Sequence, residues 1–149
     1  MSQSTPPVVL VFAGTDPSGG AGITADVLTL ASLGCHPAVV VTAVTAQDTA
    51  GIKQFSCVEM ELVIAQARAV LEDMPVAAFK VGMLGSSEVA TAVSSIVEDY
   101  PDIPLILDPI QRSGRGDTLA DSMLDGALRT LLIPQSTLIT PNSLETRVL

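Results

Sequence analysis

Short apolar runs alternate with longer segments in which apolar residues recur every three or four positions. The runs at 8–13, 38–43, 77–81, 105–107 and 137–139 are β-rich or continuous in hydrophobicity, which predicts strands of a mostly parallel sheet covered on both faces. Between them lie four stripes of helical period. These are Ile23, Val27, Leu30 and Ala31; Val63, Ala67, Val70 and Leu71; Val89, Val93, Ile96 and Val97; and Ala120, Met123, Ala127 and Leu131. Gly34, Pro75 and Pro134 are placed to end the first, second and fourth helices, and Ser86 or Ser87 to cap the third. The alternation predicts an α/β fold in which ligands gather at the carboxyl ends of the strands.

The polar residues cluster at those ends. Gly14 to Gly22 follow the first strand, Thr45 to Asp48 the second, Gly82 to Gly85 the third, Asp108 to Gly116 the fourth and Pro141 to Glu145 the fifth. The first cluster is the most informative, because its four glycines allow a sharp turn and a close ligand approach. The helix that follows has first N–H groups lacking intrahelical partners. Such a place suits a polar small molecule or an anion.

Composition narrows the function classes. With 149 residues and 48% apolar content, the chain can bury one ordinary core. A net charge of −9 and the lack of a Lys/Arg cluster argue against nucleic acid or anionic lipid as partner. No apolar run reaches the ~20 residues that span a bilayer, and 1–7 carry no positive charge, so a cytoplasmic location is expected. Cys35 and Cys57 lack metal-site spacing and read as structural thiols; His36, beside Pro37, reads as a loop residue.

The segments AGTDPSGGAGITAD (13–26), TAVTAQDTAGI (42–52), KVGML (80–84), LDPIQRSGRGDTL (107–119) and LITPNSLE (138–145) occur in order along nearly the whole chain. In this the sequence resembles the hydroxymethylpyrimidine and phosphomethylpyrimidine kinases of thiamine biosynthesis. The resemblance implies a ribokinase-like, three-layer α/β/α fold, ATP with Mg2+, and phosphorylation of 4-amino-5-hydroxymethyl-2-methylpyrimidine and then of its monophosphate. Carried over by motif, Gly14 and Ala21 border the pyrimidine, Asp26 accepts from its amino edge, Gln47 reads the ring, and Met83 and Ile110 pack against it. Asp108 and Glu145 serve the metal, and Asn142 contacts a nucleotide phosphate.

The residue types suit those tasks. A carboxylate accepts from an exocyclic amino group, a carboxamide both donates and accepts, and Mg2+ takes oxygen ligands while keeping several waters. Other readings stand beside these. Asp26 on a first turn can favour the helix dipole, Gln47 can cap a loop, Asn142 can cap a helix, and Lys80 can neutralise phosphate or pair with a carboxylate.

Two features depart from the family. Arg112 and Arg115 stand where the commoner form has Met, apolar and Lys residues, and they serve either phosphate binding or solvent contact. Family members also continue beyond this length into a second glycine-rich segment that forms the anion hole and acts on the substrate hydroxyl. The 149 residues are therefore expected to be the N-terminal, substrate-side part of one kinase domain, ending after about five strands. No catalytic base is assigned among them, and the chain alone is expected to be a poor kinase. An exposed sheet edge would favour a homo-oligomer, a dimer in the simplest case. A pyridoxal or pyridoxine kinase of the same superfamily, and a non-catalytic binding or assembly module, are the competing readings.

Overall fold

The computed structural model describes residues 5–110 and 123–148. Six strands form one sheet: β1 (Val8–Gly14), β2 (His36–Asp48), β3 (Gly51–Cys57), β4 (Val76–Val81), β5 (Leu105–Leu107) and β6 (Leu138–Ile139). Their spatial order is β3-β2-β1-β4-β5-β6, and every neighbouring pair is parallel except β2 with β3. The helices are α1 (Gly22–Ser32), α2 (Met60–Asp73), α3 (Ser87–Glu98), α4 (Leu124–Ala127) and α5 (Glu145–Val148). From α4 the chain continues through a π turn (Leu128–Leu132) into a 3-10 turn (Ile133–Gln135).

The period of two along the central strands divides the sheet faces. Leu10 and Phe12 of β1, Phe79 and Val81 of β4, and Leu105 and Leu107 of β5 share one core with Val63 and Ala67 of α2, the buried face of α3, and Leu124, Leu128 and Leu132. Lys80, between Phe79 and Val81, must face the other side. There it meets Asp26 of α1, which packs on β1 and β2. The helices thus occupy both faces.

Most predicted boundaries hold for identifiable reasons. Helix α1 ends in paired bonds, from the Cys35 N–H to the Leu30 carbonyl and from the Gly34 N–H to the Ala31 carbonyl, with Gly34 at φ 78°. Met74 is extended before Pro75, as the proline ring requires, and α2 stops there. Ser86 caps α3, its hydroxyl accepting from the Val89 N–H at 3.2 Å. Pro134 lies in the 3-10 turn, and Gln135 ties that turn to α3 by donating to the Ser94 hydroxyl at 2.7 Å.

Several expectations need correction. The sheet has six strands among the described residues, because β2 runs on through Thr45–Asp48 and folds back antiparallel as β3. Asp48 makes this reversal, accepting from the N–H groups of Ala50 and Gly51 and pairing with Lys53 at 2.7 Å. His36 opens β2 as an exposed strand residue. On α1, Ala31 is exposed and Asp26 is the fifth helical residue, past the first turn. The fourth stripe is displaced by one position: Leu124, Leu128 and Leu132 are buried while Met123 is 70% exposed, and Ala120 lies outside the described residues.

Phe79 is fully buried between Phe12 and Tyr100, with ring centroids 6.2 and 6.4 Å away. Phe79→Ala is expected to destabilise by about 3–5 kcal/mol through the cavity it leaves. A Cβ at Gly126, inside α4, meets nothing within 4 Å. Gly126→Ala should therefore stabilise by roughly 0.5–1 kcal/mol. Denaturant titration of both variants checks the pair.

Candidate active site at the carboxyl edge of the sheet

The strand order reverses at β1, whose neighbours β2 and β4 are reached by connections running in opposite directions. Such a switch point leaves a crevice beyond the strand ends. Here a cleft of about 430 Å3 opens.

One wall is the turn from β1 into α1. Asp16 is 4% exposed, and its carboxylate accepts from the Ser18 N–H at 2.8 Å, the Ser18 hydroxyl at 2.7 Å and the Ala21 N–H at 2.8 Å. Burial pushes the Asp16 carboxyl up, but these bonds and one from the Gly20 N–H outweigh it, holding it below its ordinary value. Gly22 has φ 55°, and a Cβ there would lie 2.4 Å from the Gly14 carbonyl oxygen. Only glycine lets the chain return this closely to the end of β1.

The turn is laced to β2. The Thr15 N–H donates to the Ala43 carbonyl at 2.9 Å, the Thr45 N–H to the Thr15 hydroxyl at 3.0 Å, and the Thr45 hydroxyl to the Thr15 carbonyl at 2.7 Å. Beyond Thr45 the β2–β3 register shifts between Ala46 and Gln47. Such an irregularity re-aims side chains, and Gln47 and Ile52 both line the cleft.

The floor comes from β4 and the segment after it. Lys80 Nζ lies 3.0 Å from Asp26 Oδ2, and beyond it Gly82 and Met83 run beside Ala13 and Gly14 at the end of β1. Asp108 follows β5. Burial raises its carboxyl first; the Lys80 charge lowers it, the Asp26 charge raises it and a hydrogen bond with Thr140 lowers it, leaving it above the ordinary carboxylate value.

The last wall is the start of α5. The Asn142 side-chain oxygen accepts from the N–H groups of Leu144 and Glu145 at 2.9 and 3.0 Å, and Glu145 Oε2 accepts from the Asn142 N–H at 2.8 Å. This is a reciprocal capping box. It leaves the Asn142 NH2 group and the second Glu145 oxygen outside the box.

All nine residues singled out from sequence line this one cleft: Gly14, Ala21, Asp26, Gln47, Met83, Asp108, Ile110, Asn142 and Glu145. Arg112 and Arg115 lie outside the described residues. Sequence reasoning did not select Asp16, Ile52, Lys80 and Thr140, which line it too. Asp16 carried a signal, since Asp-Pro-Ser-Gly is turn chemistry inside the glycine segment. Ile52 carried none, because its strand was not foreseen.

The sequence model for phosphomethylpyrimidine kinase matches residues 16–149. The chain belongs to the phosphomethylpyrimidine kinase family. It is 47% identical over 147 residues to the hydroxymethylpyrimidine/phosphomethylpyrimidine kinase of Mycobacterium tuberculosis H37Rv, covering 97% of this chain and 53% of that protein. Among solved structures, the family's member from Clostridium difficile 630 superposes with a TM-score of 0.87 at 35% identity, over 95% of this chain and 61% of that one. An ADP complex of Bacillus subtilis pyridoxal kinase superposes at 0.84 with 26% identity, over 96% of this chain and 53% of that one. The expected ribokinase-like α/β/α fold is thus the fold observed. The chain spans about half the length of the curated phosphomethylpyrimidine kinases that it matches. Among the described residues no helix is long and apolar enough to cross a membrane.

Asp16→Asn isolates the turn. An Asn NH2 would face an N–H donor, so one of the bonds from Ser18 or Ala21 is lost and stability at pH 7 falls. The sign follows from the lowered carboxyl. Its contribution is complete above the unfolded value of about 3.9 and disappears as pH falls through the lower folded value. The gap in thermal midpoint between parent and variant should therefore be widest above about pH 4 and close below it.

Proposed function

We propose that this chain is the substrate-side part of a single kinase domain that phosphorylates 4-amino-5-hydroxymethyl-2-methylpyrimidine, and then its monophosphate, with ATP. The observation that carries this reading is the convergence of the pyrimidine-side residues Asp26, Gln47, Met83 and Ile110 with the phosphate-side residues Asp108, Asn142 and Glu145 in one cleft. Its volume lies within the range usual for small-molecule sites.

In this reading the ring lies between Met83 and Ile110, over the bare backbone of Gly14 and beside Ala21. Asp26 accepts from the exocyclic amino group, and the Gln47 carboxamide pairs with the adjoining ring edge. The hydroxymethyl oxygen then points toward Asp108, Asn142 and Glu145. Transfer is in-line: that oxygen bonds to the γ-phosphorus as the bond to the ADP oxygen breaks, and the hydroxyl proton leaves to a base not assigned among these residues. Holding alcohol and nucleotide in one crevice is the part that this half of the fold performs.

Magnesium fits the donors present. Asp108 and the free oxygen of Glu145 supply one or two carboxylate contacts, and this ion ordinarily completes its shell with water and nucleotide phosphates. Among the described residues no group of three or more His, Cys, Asp or Glu forms a protein cage, and a shared ion of this kind needs none. Bound there, magnesium would offset phosphate charge. The Asn142 NH2 group is the nucleotide-side donor.

Pyridoxal is the second ligand to weigh, given the superposition on pyridoxal kinase. Asp26 favours the aminopyrimidine, since pyridoxal has no exocyclic amino group to donate to it. In the sheet, Leu138 and Ile139 of β6 are 55% and 39% exposed, which supports a homo-oligomer of the isolated chain.

Calorimetric titration of the 149-residue chain with the aminopyrimidine and with pyridoxal tests the assignment, alongside Asp26→Ala. Saturable pyrimidine binding is expected, weakened at least tenfold, about 1.4 kcal/mol, by Asp26→Ala, with no ATP turnover by the isolated chain. Preference for pyridoxal would replace the substrate assignment. Equal binding by the folded Asp26→Ala variant would remove Asp26 from the site.

A further inference from the structure

Lys80 is the one cation among the described residues lining the cleft, against the carboxylates of Asp16, Asp26, Asp108 and Glu145. Its ammonium lies 3.0 Å from Asp26 Oδ2, with both side chains about four-fifths buried. The route it takes is set by a glycine. A Cβ on Gly82 would stand 2.9 Å from Lys80 Nζ, and the next atoms, Ala13 Cβ and Ile110 Cδ1, are at ordinary contact distances of 3.7 and 3.8 Å. The side chain therefore folds over residue 82 into space that any other residue would fill. The pair also spans 54 positions, joining the second turn of α1 to the end of β4 across the switch point.

We propose that Lys80 is a positioning residue for substrate: by holding one oxygen of Asp26 it turns the other toward the ligand's amino group. This rests on the aminopyrimidine reading above. A carboxylate on a helix has two rotatable bonds, and a charge-assisted bond to one oxygen removes that freedom before the ligand arrives. Gly82 belongs to the same device, since its missing side chain is what gives the ammonium its path.

The test combines a ligand-free and a ligand-bound measurement on the 149-residue chain. By NMR, the Lys80 ammonium hydrogens should exchange slowly with water, unlike those of Lys53, whose side chain is 73% exposed. Slow exchange should vanish in Asp26→Asn and in Gly82→Ala. The latter leaves the fold intact because only the flexible tip of Lys80 must move. By calorimetry, Lys80→Met and Gly82→Ala should each weaken aminopyrimidine binding about tenfold, and Lys80→Arg should recover part of it. Neither should weaken binding further once Asp26 is Asn, because contacting residues that act as a unit are not additive. The analogue lacking the amino group should be bound equally by parent and variants.

A Lys80 ammonium that exchanges as fast as that of Lys53 overturns the proposal whatever the ligand does. So do losses that persist in full in the Asp26→Asn background, or that appear equally with the analogue lacking the amino group, since either would indicate a general packing role. A folded chain with a slowly exchanging Lys80 that binds no aminopyrimidine instead overturns the substrate reading. The held pair then stands as the surviving result.

Discussion

The return of the chain onto the end of β1 is the constraint on which the cleft depends. Gly22 begins α1 so close to the Gly14 carbonyl that no side chain fits between them, and this contact fixes where the helix starts relative to the strand. With the start fixed, Asp26 falls one turn further on, on the side that meets β4. The buried Asp16 carboxylate stabilises the same turn from within by engaging its N–H groups. That carboxylate is committed mainly to the turn's own donors. Its part is to hold the turn between Gly14 and Gly22 in place beside the cleft.

Strand periodicity then assigns each side chain to a face. Phe79 and Val81 enter the core shared with α2, α3 and α4, so Lys80 between them is delivered to the side of α1. A register slip of one residue would put the ammonium into that core and Phe79 into the cleft. The phenylalanine is held by two aromatic neighbours, which makes the slip expensive. Core packing and site geometry are thus opposite faces of one short strand. A polar contact in the cleft inherits its precision from apolar contacts on the far side of the sheet.

Where local chemistry decided the outcome, it was legible in the sequence. The Gly34 stop, the Pro75 stop and the Ser86 cap follow from backbone needs that a few neighbouring residues reveal, and all were found at their positions. The nine site residues were picked out by the family resemblance of the segments that carry them, and the parallel sheet brings those segments to one edge. The β2–β3 hairpin was not legible. Its residues TAQD and TAGIKQ alternate poorly and carry charge, and among the described residues β3 is an edge strand that pairs with β2 alone. Helix α4 was misread by one position, since consecutive leucines and alanines permit neighbouring stripes and only packing against α3 chooses between them. Lys80 was seen but its partner was undecided, because nothing local relates position 80 to position 26.

Each carboxylate in the cleft has its own local compensation, which lets one small crevice carry four of them. Asp16 is satisfied by backbone donors, Glu145 has given one oxygen to the α5 cap, and Asp26 is paired with Lys80. Asp108 is pushed above the ordinary carboxylate value, by burial first and by the Asp26 charge in addition, despite the opposing influence of Lys80. A further cation beside it would relieve that burial. A metal-bound nucleotide would bring that cation together with its own phosphates, so the anionic ligand and the acidic pocket compensate each other. A bare phosphate offers no such exchange, and the net charge of −9 adds long-range repulsion. Within that crevice Lys80 and Asp26 form a held pair, and Asp108 lies close enough to feel both charges.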